Sequence, residues 1–76
     1  MTDDNPDLQA ALLAAHGAGD RAALIRLYTD AADLTEAAGD DGRAAFFLTH
    51  AWVFALEAGA PEAALLRQRL KESGRV

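Results

Sequence analysis

The sequence contains no cysteine, and serine occurs once, at Ser73. Without cysteine there is no disulfide, no thiolate metal site and no cysteine nucleophile. With its one serine in the last predicted helical turn, remote from both histidines, hydroxyl nucleophilic catalysis lacks its usual pairing. β-Branched apolar residues are as scarce: Ile25, Val53 and Val76 are all there are. Strands draw on those side chains and on aromatics, so their scarcity argues against a sheet. No apolar run approaches the roughly 20 residues that a membrane span needs. The opening segment, MTDDNPD, is acidic, unlike the basic start of a signal or transit peptide. The expected compartment is therefore the cytoplasm.

What is abundant points the other way. Alanine supplies 19 of the 76 residues and leucine 11, and both enter helices at little cost. The length suits one small domain of marginal stability. The net charge of −5 is unevenly spread: residues 1–41 hold nine acidic and two basic side chains, whereas residues 42–76 hold three acidic and five basic. An acidic front half repels phosphate, which disfavours nucleic acid as a partner. The basic end, Arg67, Arg69, Lys71 and Arg75, suits a helix C-terminus. It also leaves open an attraction between acidic and basic ends of neighbouring copies.

Residues 1–6 are polar and read as a flexible N-terminus, with Asn5 or Asp7 able to start a helix. Residues 7–76 read as a single helical domain. Its punctuation is regular. Ala-Gly recurs at Ala18-Gly19, Ala38-Gly39 and Ala58-Gly59, twenty residues apart. Behind each stands a helix-start signal: Asp20, then Asp40 or Asp41, then Pro61. The following segments echo one another as Arg21-Ala22-Ala23-Leu24, Arg43-Ala44-Ala45-Phe46 and Glu62-Ala63-Ala64-Leu65. Four helices are predicted, over about 7–17, 20–38, 42–58 and 61–73, with turns near Gly17–Gly19, Gly39–Gly42 and Gly59–Ala60. Connections this short make each helix antiparallel to the one before it. The fold class is all-α, with four antiparallel helices as two stacked helical hairpins.

In the second helix, Leu24, Leu27, Tyr28, Ala31, Leu34 and Ala38 recur at three- and four-residue steps and predict its buried stripe. The third helix is apolar on most faces. Its polar side chains Arg43, His50 and Glu57 fall in one narrow window at seven-residue steps. Phe46 and Val53 flank that window on one side, Phe47 and Phe54 on the other. Ala44, Ala51, Ala55 and Ala58 form a smooth strip for close approach of another backbone, and Leu48, Trp52 and Leu56 fill most of the rest. Such a helix is expected to be central, with its sequence neighbours beside it.

The stretch GDRAALIRLYTDAADL resembles the second helix of a tetratricopeptide repeat. There Gly19-Asp20 is followed by Leu24, Tyr28 and Ala31, then Asp33-Leu34. The stretch AAFFLTHAWVFALEAGAPEAALL is similar to a first helix, its glycine turn and the start of a second. The resemblance implies two units, residues 8–38 and 42–73, and a binding role without naming a ligand. Gly19 and Gly59 stand 40 apart, against a family period of about 34. The family's carboxylate-clamp residues are not matched beyond Arg43, so that site does not transfer.

Other candidate chemistry reads as structure. His16 and His50 share no metal-ligand spacing. Asp30, Asp33, Asp40 and Asp41 do not follow a calcium-loop pattern. No phosphate-binding glycine loop is present, and no metal, cofactor or catalytic residue is expected. Three functions remain. The first is a small protein-interaction module, an adaptor or accessory subunit, binding another protein through an apolar helix face. The second is a self-associating, homodimeric structural protein. An enzyme is the weakest. The candidate interface is Phe46, His50, Val53 and Glu57. These mix apolar anchors with a polar edge on one side of the third helix. The competing arrangement has a neighbouring helix covering Phe46 and Val53 within the monomer.

Overall fold

The computed structural model describes residues 6–74. Four helices account for nearly all of them: α1 (Pro6–Ala18), α2 (Arg21–Ala37), α3 (Asp41–Ala58) and α4 (Glu62–Glu72). No strand occurs among the described residues. The predicted start at Asn5, the flexible segment up to that residue and the terminal Arg75 lie outside the described residues.

The three turns share one construction. Gly19, Gly39 and Gly59 are left-handed, with φ of 66°, 83° and 64°, a region that glycine enters without a Cβ clash. Each glycine N–H donates to the carbonyl three residues back: Gly19 to His16, Gly39 to Glu36 and Gly59 to Leu56. The next residue reaches five back, Asp20 to Ala15 at 3.0 Å, Asp40 to Thr35 at 2.9 Å and Ala60 to Ala55 at 2.8 Å. This paired closure satisfies carbonyls that a helix end leaves open. Asp20 and Asp40 then serve a second purpose. Their carboxylates accept from the backbone N–H of Ala23 and Arg43, each at 3.1 Å, and cap the following helices. One residue thus closes one helix and opens the next, so two or three residues suffice to reverse the chain. The closure needs a single left-handed residue. Gly17 and Gly42, expected in the turns, lie instead inside α1 and α3.

Each helix packs on its neighbour in sequence, and α3 is central. Its alanine strip is the seam: Ala44 is 3% exposed, and Ala51 and Ala55 are wholly buried. Small side chains there let the α2 backbone come close. The core joins Ile25 and Ala32 of α2, Leu48, Ala51 and Ala55 of α3, and Leu66 and Leu70 of α4. Arg69 on α4 ties the far end to α2, pairing with Asp33 at 2.8 Å and Glu36 at 3.5 Å. The basic end is therefore more than a helix terminus, because one of its cations bridges two helices.

The buried stripe of α2 is rotated from the predicted one. Leu24 and Ala31 are buried as expected, and so are Ile25, Ala32 and Thr35, whereas Leu34 and Ala38 are exposed. The reason is that α3 and α4 together cover the side bearing Ile25 and Ala32. Leu34 stands nine residues after Ile25, half a turn round the helix from it, and so on the side of α2 away from that core. Thr35 tolerates burial because its hydroxyl donates back to the Ala31 and Ala32 carbonyls at 2.9 and 3.1 Å.

Candidate functional site

The strip of α3 opposite the seam faces solvent. Phe46 is 58% exposed, Val53 43% and Leu56 55%. The arrangement in which a neighbouring helix covers Phe46 and Val53 does not occur within the described chain. Thr49, also exposed, lies between them, and the steps Phe46–Thr49–Val53–Leu56 are three, four and three residues. Such steps keep all four side chains on one side of a helix. Leu56, which with Leu48 and Trp52 fills most of the remaining circumference of α3, is expected to pack or to stay open according to the number of neighbouring helices. It is exposed because α4 packs against Leu48 and the half-buried Trp52, one turn further round. Ala58, at the end of the smooth strip, is exposed too, since it already belongs to the turn at Gly59.

The polar row Arg43, His50 and Glu57 runs along one flank of this stripe. Its members are seven residues apart and so nearly in line. Arg43 follows the Asp40 cap, and its guanidinium carbon lies 5.9 Å from the Phe47 ring centroid, within cation–π range. Glu57 meets Arg21 of α2 at 3.6 Å. Both side chains of that pair are more than half exposed, which places its value at the low end for ion pairs.

His50 makes one hydrogen bond and two ring contacts. Its Nδ1 lies 2.9 Å from the Phe46 carbonyl oxygen. A carbonyl can only accept, so Nδ1 carries the hydrogen and donates. The ring stacks on Tyr28 of α2 at 5.1 Å between centroids and touches Phe46 at 4.4 Å. Phe46 in turn meets Phe47 edge-on at 5.5 Å. The exposed phenylalanine is therefore held by ring contacts on its inner side.

Those contacts continue into a cluster that pattern reading missed. Tyr28 stacks on Phe54 at 5.8 Å. His16, at the end of α1, lies 5.7 Å from Phe54 and shares a 3.0 Å hydrogen bond with the Tyr28 hydroxyl. No helical period relates His16 to α3, because the contact crosses two turns of the chain.

Nothing in this arrangement forms a catalytic set. Among the described residues no three of His, Cys, Asp and Glu come together as metal ligands, and no buried side-chain nitrogen or oxygen lacks a hydrogen-bond partner. A surface groove of about 440 Å³ lies between the start of α2 and the α3–α4 turn. Its one hydroxyl, on Thr29, is committed to the Ile25 carbonyl at 2.7 Å. Among the described residues no helix is long and apolar enough to cross a membrane. No family model matches the chain, and no curated protein or solved structure shows significant similarity to it.

Proposed function

We propose that the protein is a small cytoplasmic protein-interaction module of tetratricopeptide-like helical hairpins, not an enzyme, and that it binds through the exposed face of α3. One observation carries the reading. Three large apolar side chains, Phe46, Val53 and Leu56, stand exposed in a single row on the helix that is otherwise most deeply packed. Scattered exposed apolar residues are ordinary, but a continuous row bordered by polar side chains has the anatomy of an interface. Phe46 is the anchor, being the largest of the three and pre-positioned by His50 and Phe47. His50 and Glu57 form the polar edge.

The test separates binding from folding. Val53→Asp and Phe46→Ala alter mainly solvent-facing atoms, and Phe46→Ala also gives up ring contacts with His50 and Phe47, so each should leave the circular-dichroism melt within about 1.5 kcal/mol of the parent. Each should abolish capture of the binding partner from native cell extract. A sharp fall in melting temperature without a separate loss of association would refute the assignment.

A further inference from the structure

We infer that the occupant of this face is a second copy of the same chain, its α3 laid antiparallel along the first about a twofold axis near His50. The inference rests on the reading of α3 as the binding face and adds the partner and its direction.

The spacing comes first. Steps of three, four and three residues give a seam that another helix can follow lengthwise at a shallow crossing angle. The seam also matches itself when reversed. Bulky side chains stand at its ends, Phe46 and Leu56, and smaller ones in the middle, Thr49 and Val53. An antiparallel copy sets Phe46 beside the partner's Leu56, and Thr49 beside the partner's Val53. The short middle side chains let the two backbones approach most closely at the axis. Isologous contacts of this kind are self-complementary by symmetry.

The charges select the direction. Arg43 and Glu57 lie on the same flank, one toward each end of the seam, with His50 midway between them. In an antiparallel pair Arg43 faces the partner's Glu57 and Glu57 faces the partner's Arg43, while His50 meets the partner's His50. A parallel pair would set this flank against the partner's opposite flank, at Ala45 and Trp52, and neither ion pair could form. A foreign helix would need no such reversal of sign about the midpoint; a second copy of this chain does.

The area sets the strength. The exposed parts of Phe46, Val53 and Leu56 amount to on the order of 300 Å² per protomer, against the roughly 800 Å² per partner of a standard interface. The dimer should therefore form reversibly and dissociate on dilution.

Sedimentation velocity of the full chain over a concentration series tests this. The expected mass rises with concentration from 8.0 kDa toward twice that value. Glu57→Arg, which sets Arg43 against the partner's new arginine, should weaken association on the order of tenfold, as two rim pairs turn from attraction to repulsion. Arg43→Glu should do the same. Because Glu57 also meets Arg21 within the chain, restoration needs a third change: Arg21→Glu/Arg43→Glu/Glu57→Arg re-forms both the internal and the antiparallel pairs with signs exchanged and should restore the parent's behaviour. Circular dichroism of each variant confirms that the fold is kept. A mass of 8.0 kDa at every concentration overturns the inference. Capture of a different protein by the monomer, lost in Val53→Asp, would overturn the second copy as partner while leaving α3 as a binding face. Association that ignores the single charge reversals, or that the triple variant fails to restore, overturns the antiparallel arrangement.

Discussion

Substituting Ala51 by leucine probes the seam on which the architecture depends. Ala51 has no exposed surface and lies in the core formed by α2, α3 and α4. It is flanked along the strip by Ala44 and Ala55, also buried. Leucine adds three carbon atoms with no void to receive them, so either α2 moves outward or neighbouring side chains leave their preferred rotamers. Overpacking of this kind costs about 1–3 kcal/mol. For a chain of 76 residues the unfolding entropy is about 0.16 kcal/mol per kelvin, so each kcal/mol lowers the melting temperature by roughly 6 °C. Ala51→Leu should therefore lower it by roughly 6–18 °C. Ala58→Leu supplies the control, because Ala58 continues the same strip but is exposed. It should change the melt by less than about 3 °C. Thermal melts followed by circular dichroism at 222 nm, the helix band, measure both. If Ala51→Leu melts with the parent, α2 does not approach α3 through the alanine strip and the packing described above is wrong.

Two further outcomes follow from the same geometry. Tyr28→Ala removes a half-buried ring stacked on both His50 and Phe54 and should cost about 3 kcal/mol in a denaturant titration. Tyr28→Phe loses just the exposed bond to His16 and should cost under about 1 kcal/mol; equal effects would show that the hydroxyl, not the stacking, holds the cluster. Gly17→Ala and Gly19→Ala, two residues apart, should move stability in opposite directions. Gly17 is helical with open space at its Cβ position, so alanine should stabilise by up to about 1 kcal/mol. Gly19 is left-handed at φ 66°, where alanine should destabilise by about 1 kcal/mol. Urea unfolding of the pair checks the signs, and stabilisation by Gly19→Ala would contradict the turn geometry.

Helix number, order and boundaries were legible from the chain alone because they are local. Ala-Gly followed by Asp or Pro closes one helix and opens the next through bonds spanning five residues at most. The expected ranges accordingly lie within about two residues of those found, the usual uncertainty of a helix end. The buried alanine strip at Ala44, Ala51 and Ala55 was legible for a similar reason: in a helix otherwise rich in large side chains, it marks where another backbone comes close.

Which of the remaining faces is covered was decided by tertiary structure. Periodicity placed Leu34 with the packed side chains, yet Leu34 is exposed, and the pattern left Phe46, Val53 and Leu56 open between two arrangements. A helical pattern states which residues share a side. It does not state how many neighbours stand against that side, or how far along the helix each neighbour extends. Those depend on the angles at which α2 and α4 pack on α3. The contact between His16 and the Tyr28–Phe54 stack depends on the same angles. The side left open is the one turned away from α2 and α4, which close on Leu48, Ala51 and Ala55, where small side chains let helix backbones approach and pack without voids.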